Sequence, residues 1–125
     1  MSVGQVTADF EALVQFELYS ETGTPEEIIA VIDTGFNGAL TLPGDMIRRL
    51  GLTWRSRGEV MLADGRLESF DSYTAQITFQ GQSRTILVEE VEAAPLVGMA
   101  ILKGYELCVE VREGGQVRLR PLANP

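Results

Sequence analysis

At 125 residues the chain has room for one domain and one core, and 45% hydrophobic residues excludes disorder as the default state. Eighteen acidic against ten basic residues leave a net charge of −8, which argues against nucleic-acid binding, because phosphates need a cationic face. There is no histidine, which removes Ser-His-Asp and Cys-His nucleophiles, histidine bases and histidine metal sites.

Any acid–base chemistry therefore falls to Asp and Glu, and no metal or other cofactor is expected. In chain order, the first ten residues carry neither a basic start nor an apolar core, so they do not read as a signal peptide. Residues 1–10 are a candidate flexible tail on a single domain, 1–125, and the expected location is cytoplasmic. Leu13 to Tyr19 alternates, with Val14, Phe16 and Leu18 set against Gln15 and Glu17, as a half-buried strand does. Glu21 to Pro25 is a turn. Ile28 to Ile32 is continuously apolar, which predicts a strand buried on both faces. Leu40 to Leu42 is extended, and a helix follows from Pro43 to Leu50. Pro43 suits its first turn, Met46, Ile47 and Leu50 make an apolar face, and Gly51 suits the stop.

Val60 to Ala63 and Arg66 to Phe70 flank Asp64-Gly65, the strongest hairpin signal in the chain. Tyr73, Ala75, Ile77 and Phe79 alternate with polar residues, and Gln80 to Ser83 turns into a strand over Thr85 to Val91. Within it, Glu89-Glu90 reads as a solvated strand end. Pro95 to Leu102 predicts a short strand entering a helical turn that Gly104 ends. Two last strands, Glu106 to Val111 and Val117 to Arg120, join across Gly114-Gly115. Cys108, the single cysteine, lies between Leu107 and Val109 and reads as a buried, inert thiol in a reducing compartment. No apolar run approaches the ~20 residues that span a bilayer, so no membrane partner is expected. These elements predict a mostly-β, barrel-like domain with one or two short helices.

The chemistry concentrates in Ile28-Ile-Ala-Val-Ile-Asp-Thr-Gly-Phe36. A carboxylate placed after an apolar strand costs several kcal/mol if it is buried without partners, so Asp33 needs a reason. One reason is local: an Asx turn, with Asp33 bonding its own backbone. The other comes from context, because the Gly-containing segment Leu96-Val-Gly-Met-Ala-Ile-Leu102 follows late in the chain, with the Asp-Gly hairpin between.

That arrangement resembles the retropepsin-like aspartic proteases, in particular their small bacterial members, over roughly Leu13 to Val111. The resemblance implies a closed β-barrel in which Asp33 is the catalytic residue and Thr34 and Gly35 complete the active-site turn. It implies a flap whose tip, Ala63, Asp64 and Gly65, binds substrate, and a Leu96-Val97-Gly98 segment packed beside the turn. Thr34 would turn its hydroxyl inward to bond across to the other half of the site. Gly35 lets the backbone bend beside the carboxylate, where a Cβ would intrude.

A catalytic pair needs two such aspartates. Asp9, Asp45, Asp64 and Asp71 do not repeat the turn, so the second Asp33 is expected from a second copy in a homodimer acting on a peptide or protein substrate. Three places depart from the retroviral pattern: Phe36 replaces a small residue, Asn37 an acidic one, and Met99 an arginine. Losing the acid and the arginine together removes an ion pair as a unit, which is tolerated better than losing one partner. A second reading is a catalytically silent β-barrel module for binding or dimerisation. A third, an Asp nucleophile for phosphoryl transfer, lacks a phosphate-cradling loop and a nearby second carboxylate for Mg²⁺.

Overall fold

The computed structural model describes residues 2–123. In chain order the elements are β1 (Ser2–Gln5), β2 (Leu13–Tyr19), β3 (Pro25–Ile32), β4 (Leu40–Leu42), α1 (Gly44–Leu50), β5 (Thr53–Met61) and β6 (Leu67–Phe79). They continue with β7 (Gln82–Glu90), β8 (Leu96–Val97), α2 (Met99–Leu102), β9 (Tyr105–Val109) and β10 (Gln116–Pro121). The fold is mostly β with two short helices. None of the described helices is long and apolar enough to cross a membrane.

Alternation sets the inner face of each strand. Val14, Phe16 and Leu18 of β2 are buried while their neighbours are not. β2 pairs antiparallel with β3 on one side and β6 on the other, and β6 continues to β7. β7 runs parallel to β4, β4 antiparallel to β8, and β8 parallel to β3. The hydrogen bonding therefore returns to its start, as a ring of strands β2-β3-β8-β4-β7-β6. In such a ring alternate residues of a strand turn inward and outward. This overturns the two-sided burial expected of Ile28 to Ile32: Ile28 and Ala30 point inward, but Ile29 is 47% exposed.

Leu18, Leu40, Leu42, Ile47, Ile77, Phe79, Val88, Val97 and Ile101 fill the core, and Phe79 meets Phe16 and Tyr105 edge to face at 5.9 and 5.8 Å. Helix α1 contributes Ile47 and Leu50 to the core. Pro43 is its N-cap rather than its first helical residue, and Gly51 ends it at φ 67°.

Outside the ring, a three-stranded sheet has the order β1-β10-β9. Ser2 to Gln5, expected within a tail, thus forms a strand paired with β10. Cys108 is also not where its neighbours implied. It is exposed on β9, its sulfur 3.6 Å from Arg118 Nη2. Leu107 and Val109 pack against the core, but adjacent strand residues face opposite ways, so their apolar character says nothing of Cys108.

Candidate active site

Strand β3 ends at Ile32, and the chain turns through Asp33-Thr34-Gly35-Phe36. The Phe36 N–H donates to the Asp33 carbonyl at 3.1 Å, and the Gly35 N–H donates to Asp33 Oδ1 at 2.9 Å. The carboxylate is therefore held by its own turn, and Asp33 is half-buried. A Cβ on Gly35 would come within 3.2 Å of Asp33 Oδ1, which crowds the carboxylate. Thr34 is exposed, and its hydroxyl makes no hydrogen bond among the described residues.

The second apolar segment fixes this turn from behind. β8 inserts between β3 and β4, with Val31 opposite Leu96 and Leu40 opposite Val97. The Asp33 N–H donates to the Val97 carbonyl at 2.9 Å, and the Gly98 N–H to that of Ala39 at 3.0 Å. The Met99 N–H donates to the Phe36 carbonyl at 2.8 Å, and the Ala100 N–H to that of Gly38 at 3.1 Å. Buried Thr41 accepts the Leu96 N–H at 3.0 Å. These bonds tie the backbone around Asp33 to the segment of β8 and α2 and satisfy its polar groups.

Phe36 occupies a seat that the sequence does not announce. A Cβ on Gly38 would lie 2.5 Å from Phe36 Cζ, and one on Gly98 would lie 2.5 Å from Phe36 Cδ2. The ring rests on two glycine backbones, one on each side of the turn, and a side chain at either would evict it. The large residue after Asp-Thr-Gly is thus accommodated by glycines at both places where a side chain would strike it.

The hairpin of β5 and β6 projects beyond the ring, with β5 exposed along almost its whole length. Its loop holds three residues, Ala63, Asp64 and Gly65, inside a Leu62–Arg66 pair in which the Leu62 N–H donates to the Arg66 carbonyl at 2.8 Å. Ala63 therefore belongs to the loop rather than to the strand expected to end there. Gly65 takes φ 87°, the left-handed position that three-residue loops require. Asp64 accepts the Arg66 backbone N–H at 3.0 Å and its Nε at 2.6 Å. These bonds hold its carboxyl below the usual aspartate range.

The hairpin's shaft, rather than its tip, faces the turn. A cavity of about 650 Å³ is lined by Phe36 from the turn, by Glu59, Val60, Glu68 and Phe70 from the shaft, and by Glu89 from the end of β7. Asp33 and the tip residues do not line it. Phe70 also rests on a glycine: a Cβ on Gly58, its cross-strand partner, would lie 2.6 Å from Phe70 Cζ.

Glu89 and Glu90 are not a solvated strand end. Both are partly buried, and Glu90 accepts the Tyr73 hydroxyl at 2.9 Å. Burial raises the Glu89 carboxyl above its ordinary value, and that of the Tyr73 phenol likewise, with the Glu90 carboxylate adding to the latter. Among the described residues no three Asp, Glu, Cys or His side chains converge on a metal position.

The chain matches no family model and no curated protein.

Sequence reasoning located the turn, Leu96-Val97-Gly98 and the hairpin. It missed the Phe36 seat and the Glu89 wall, since Glu89 reaches the turn only through the parallel pairing of β7 with β4. The one available signal was the close spacing of Phe36 and Gly38.

Proposed function

We propose that the chain is an aspartic endopeptidase of retropepsin-like type, a closed barrel that acts as a homodimer with one Asp-Thr-Gly turn per copy. The observation that carries this reading is the pair of backbone bonds, Asp33 N–H to Val97 and Met99 N–H to Phe36, which pins the Asp-Thr-Gly turn against a hydrophobic-hydrophobic-Gly segment. A strand-end Asx turn needs only the Gly35 bond. The additional bracing suits a carboxylate that must hold its position while it reacts.

In this reading two Asp33 carboxylates meet across the two-fold axis and hold one water. Like charges about 3 Å apart cannot both ionise, so the pair shares a proton and titrates with two macroscopic pKa values. One carboxylate removes a proton from the water as it attacks the peptide carbonyl. The other gives its proton to the carbonyl oxygen, and the roles then reverse as the amine leaves. Thr34, exposed in the single chain, is free to bond across to the second copy, and the hairpin closes over an extended peptide with Ala63, Asp64 and Gly65 at its tip. The rate follows a bell in pH on the acidic side of neutrality.

The test joins sedimentation to peptide cleavage. A dimer that cleaves, and an Asp33→Asn dimer that does not, is the expected result. A monomer at high concentration with no cleavage counts against the proposal and favours the silent binding module. The Asx bond from Gly35 to Asp33 alone would serve that module equally.

A further inference from the structure

The cavity between the hairpin shaft and the turn combines two surfaces that ask for one kind of occupant. One is aromatic: Phe36 and Phe70, each packed against glycine, both line it. The other is anionic. Of the five glutamates that line the cavity, Glu90 and Glu92 already accept from the Tyr73 hydroxyl and the Gly44 N–H, whereas Glu59, Glu68 and Glu89 have no salt bridge or hydrogen-bond partner among the described residues, and Glu68 shares the hairpin face of Phe70. No lysine or arginine lines it. Arg57 lies toward Asp71 at 4.0 Å, and Arg48, which bonds Asp45 at 2.8 Å, borders Glu90 and Glu92 beside Gly44.

Glu89 has lost water to burial without gaining a donor in return, the situation a cationic ligand relieves and an apolar one worsens. A free metal ion is a poor fit, because the carboxylates do not converge on one point. An aliphatic stem ending in a cation matches both surfaces, with a guanidinium gaining further from a ring face.

We infer that this cavity is a substrate subsite selecting a lysine or arginine side chain, its stem against Phe36 and Phe70 and its charge against Glu89. The inference rests on the endopeptidase reading for the nature of its ligand, a peptide. The net charge of −8 favours the approach of such peptides.

Binding separates the two ideas. Asp33→Asn protein is titrated with end-capped, otherwise uncharged hexapeptides carrying lysine or norleucine at each position in turn, followed by chemical-shift changes of the Phe36 and Phe70 rings. At one position lysine binds about tenfold tighter than norleucine, the worth of one charge-assisted contact. Adding Glu89→Gln brings that ratio to within about twofold of one, and Glu68→Gln, on the exposed shaft, lowers it less. The inference is overturned if no position discriminates, or if discrimination survives both substitutions. Cleavage of the same peptides by the Asp33 protein runs in parallel. Cleavage without discrimination overturns the subsite and spares the protease; discrimination without cleavage overturns the protease and spares the subsite.

Discussion

Gly98→Ala tests how tightly the candidate turn is braced. The added Cβ would land 2.5 Å from Phe36 Cδ2 and 2.6 Å from the Phe36 carbonyl oxygen, and closer still to the Gly38 carbonyl oxygen. That last oxygen accepts the Ala100 N–H at 3.1 Å, so it cannot retreat without weakening a bond. Overpacking of this kind costs ~1–3 kcal/mol, and a lost backbone bond ~0.5–1.5 kcal/mol more. The expected loss is about 2–4 kcal/mol, or roughly 8–16 °C in melting temperature for a domain of this size. Gly38→Ala is the matched control, because its Cβ meets only side chains: the Phe36 ring at 2.5 Å and Glu89 Oε2 at 3.4 Å.

Phe36→Ala should therefore rescue Gly38→Ala and fail to rescue Gly98→Ala, which still faces two carbonyls. Urea unfolding followed by circular dichroism, at one protein concentration, supplies the double-mutant cycles. A Gly98→Ala loss under about 0.5 kcal/mol, or its full rescue by Phe36→Ala, would refute the argument that backbone contact sets this site.

Asp33→Asn should reduce peptide cleavage to background while leaving the sedimentation coefficient and the melting curve in place; cleavage at the wild-type rate would remove Asp33 as the catalyst. Because the folded chain raises the Glu89 carboxyl above 4.5, stability from its neutral form is complete below that pH and is lost as pH rises through the raised value. Glu89→Gln should accordingly gain on wild type between about pH 4 and pH 7, and urea midpoints that move in parallel would contradict this. Amides of the hairpin over Gly58 to Phe70 should exchange faster than those of β2 and β3 and slow when a peptide-like inhibitor is bound. Equal exchange in the free and bound protein would deny the hairpin a part in binding.

The sequence by itself determined the local structure wherever one residue dictates one backbone state. The alternation of Leu13 to Tyr19 names the inner face of β2, Pro43 and Gly51 bracket α1, and Gly65 supplies the left-handed corner of the hairpin. Asp33-Thr34-Gly35 was legible for the same reason: a short turn after an apolar strand is written in consecutive residues.

Only the tertiary structure decided what depends on strand order. Ile29, in the ring, and Cys108, in the three-stranded sheet outside it, misled because an apolar neighbourhood in sequence is divided between two faces once the strands pair, and only one of them is buried. The insertion of β8 between β3 and β4, and the parallel alignment of β7 with β4, carry no local signal. Both come from long-range hydrogen bonding that satisfies buried backbone groups. That pairing puts Gly98 beneath Phe36 and Glu89 beside Gly38, and so turns scattered residues into one site.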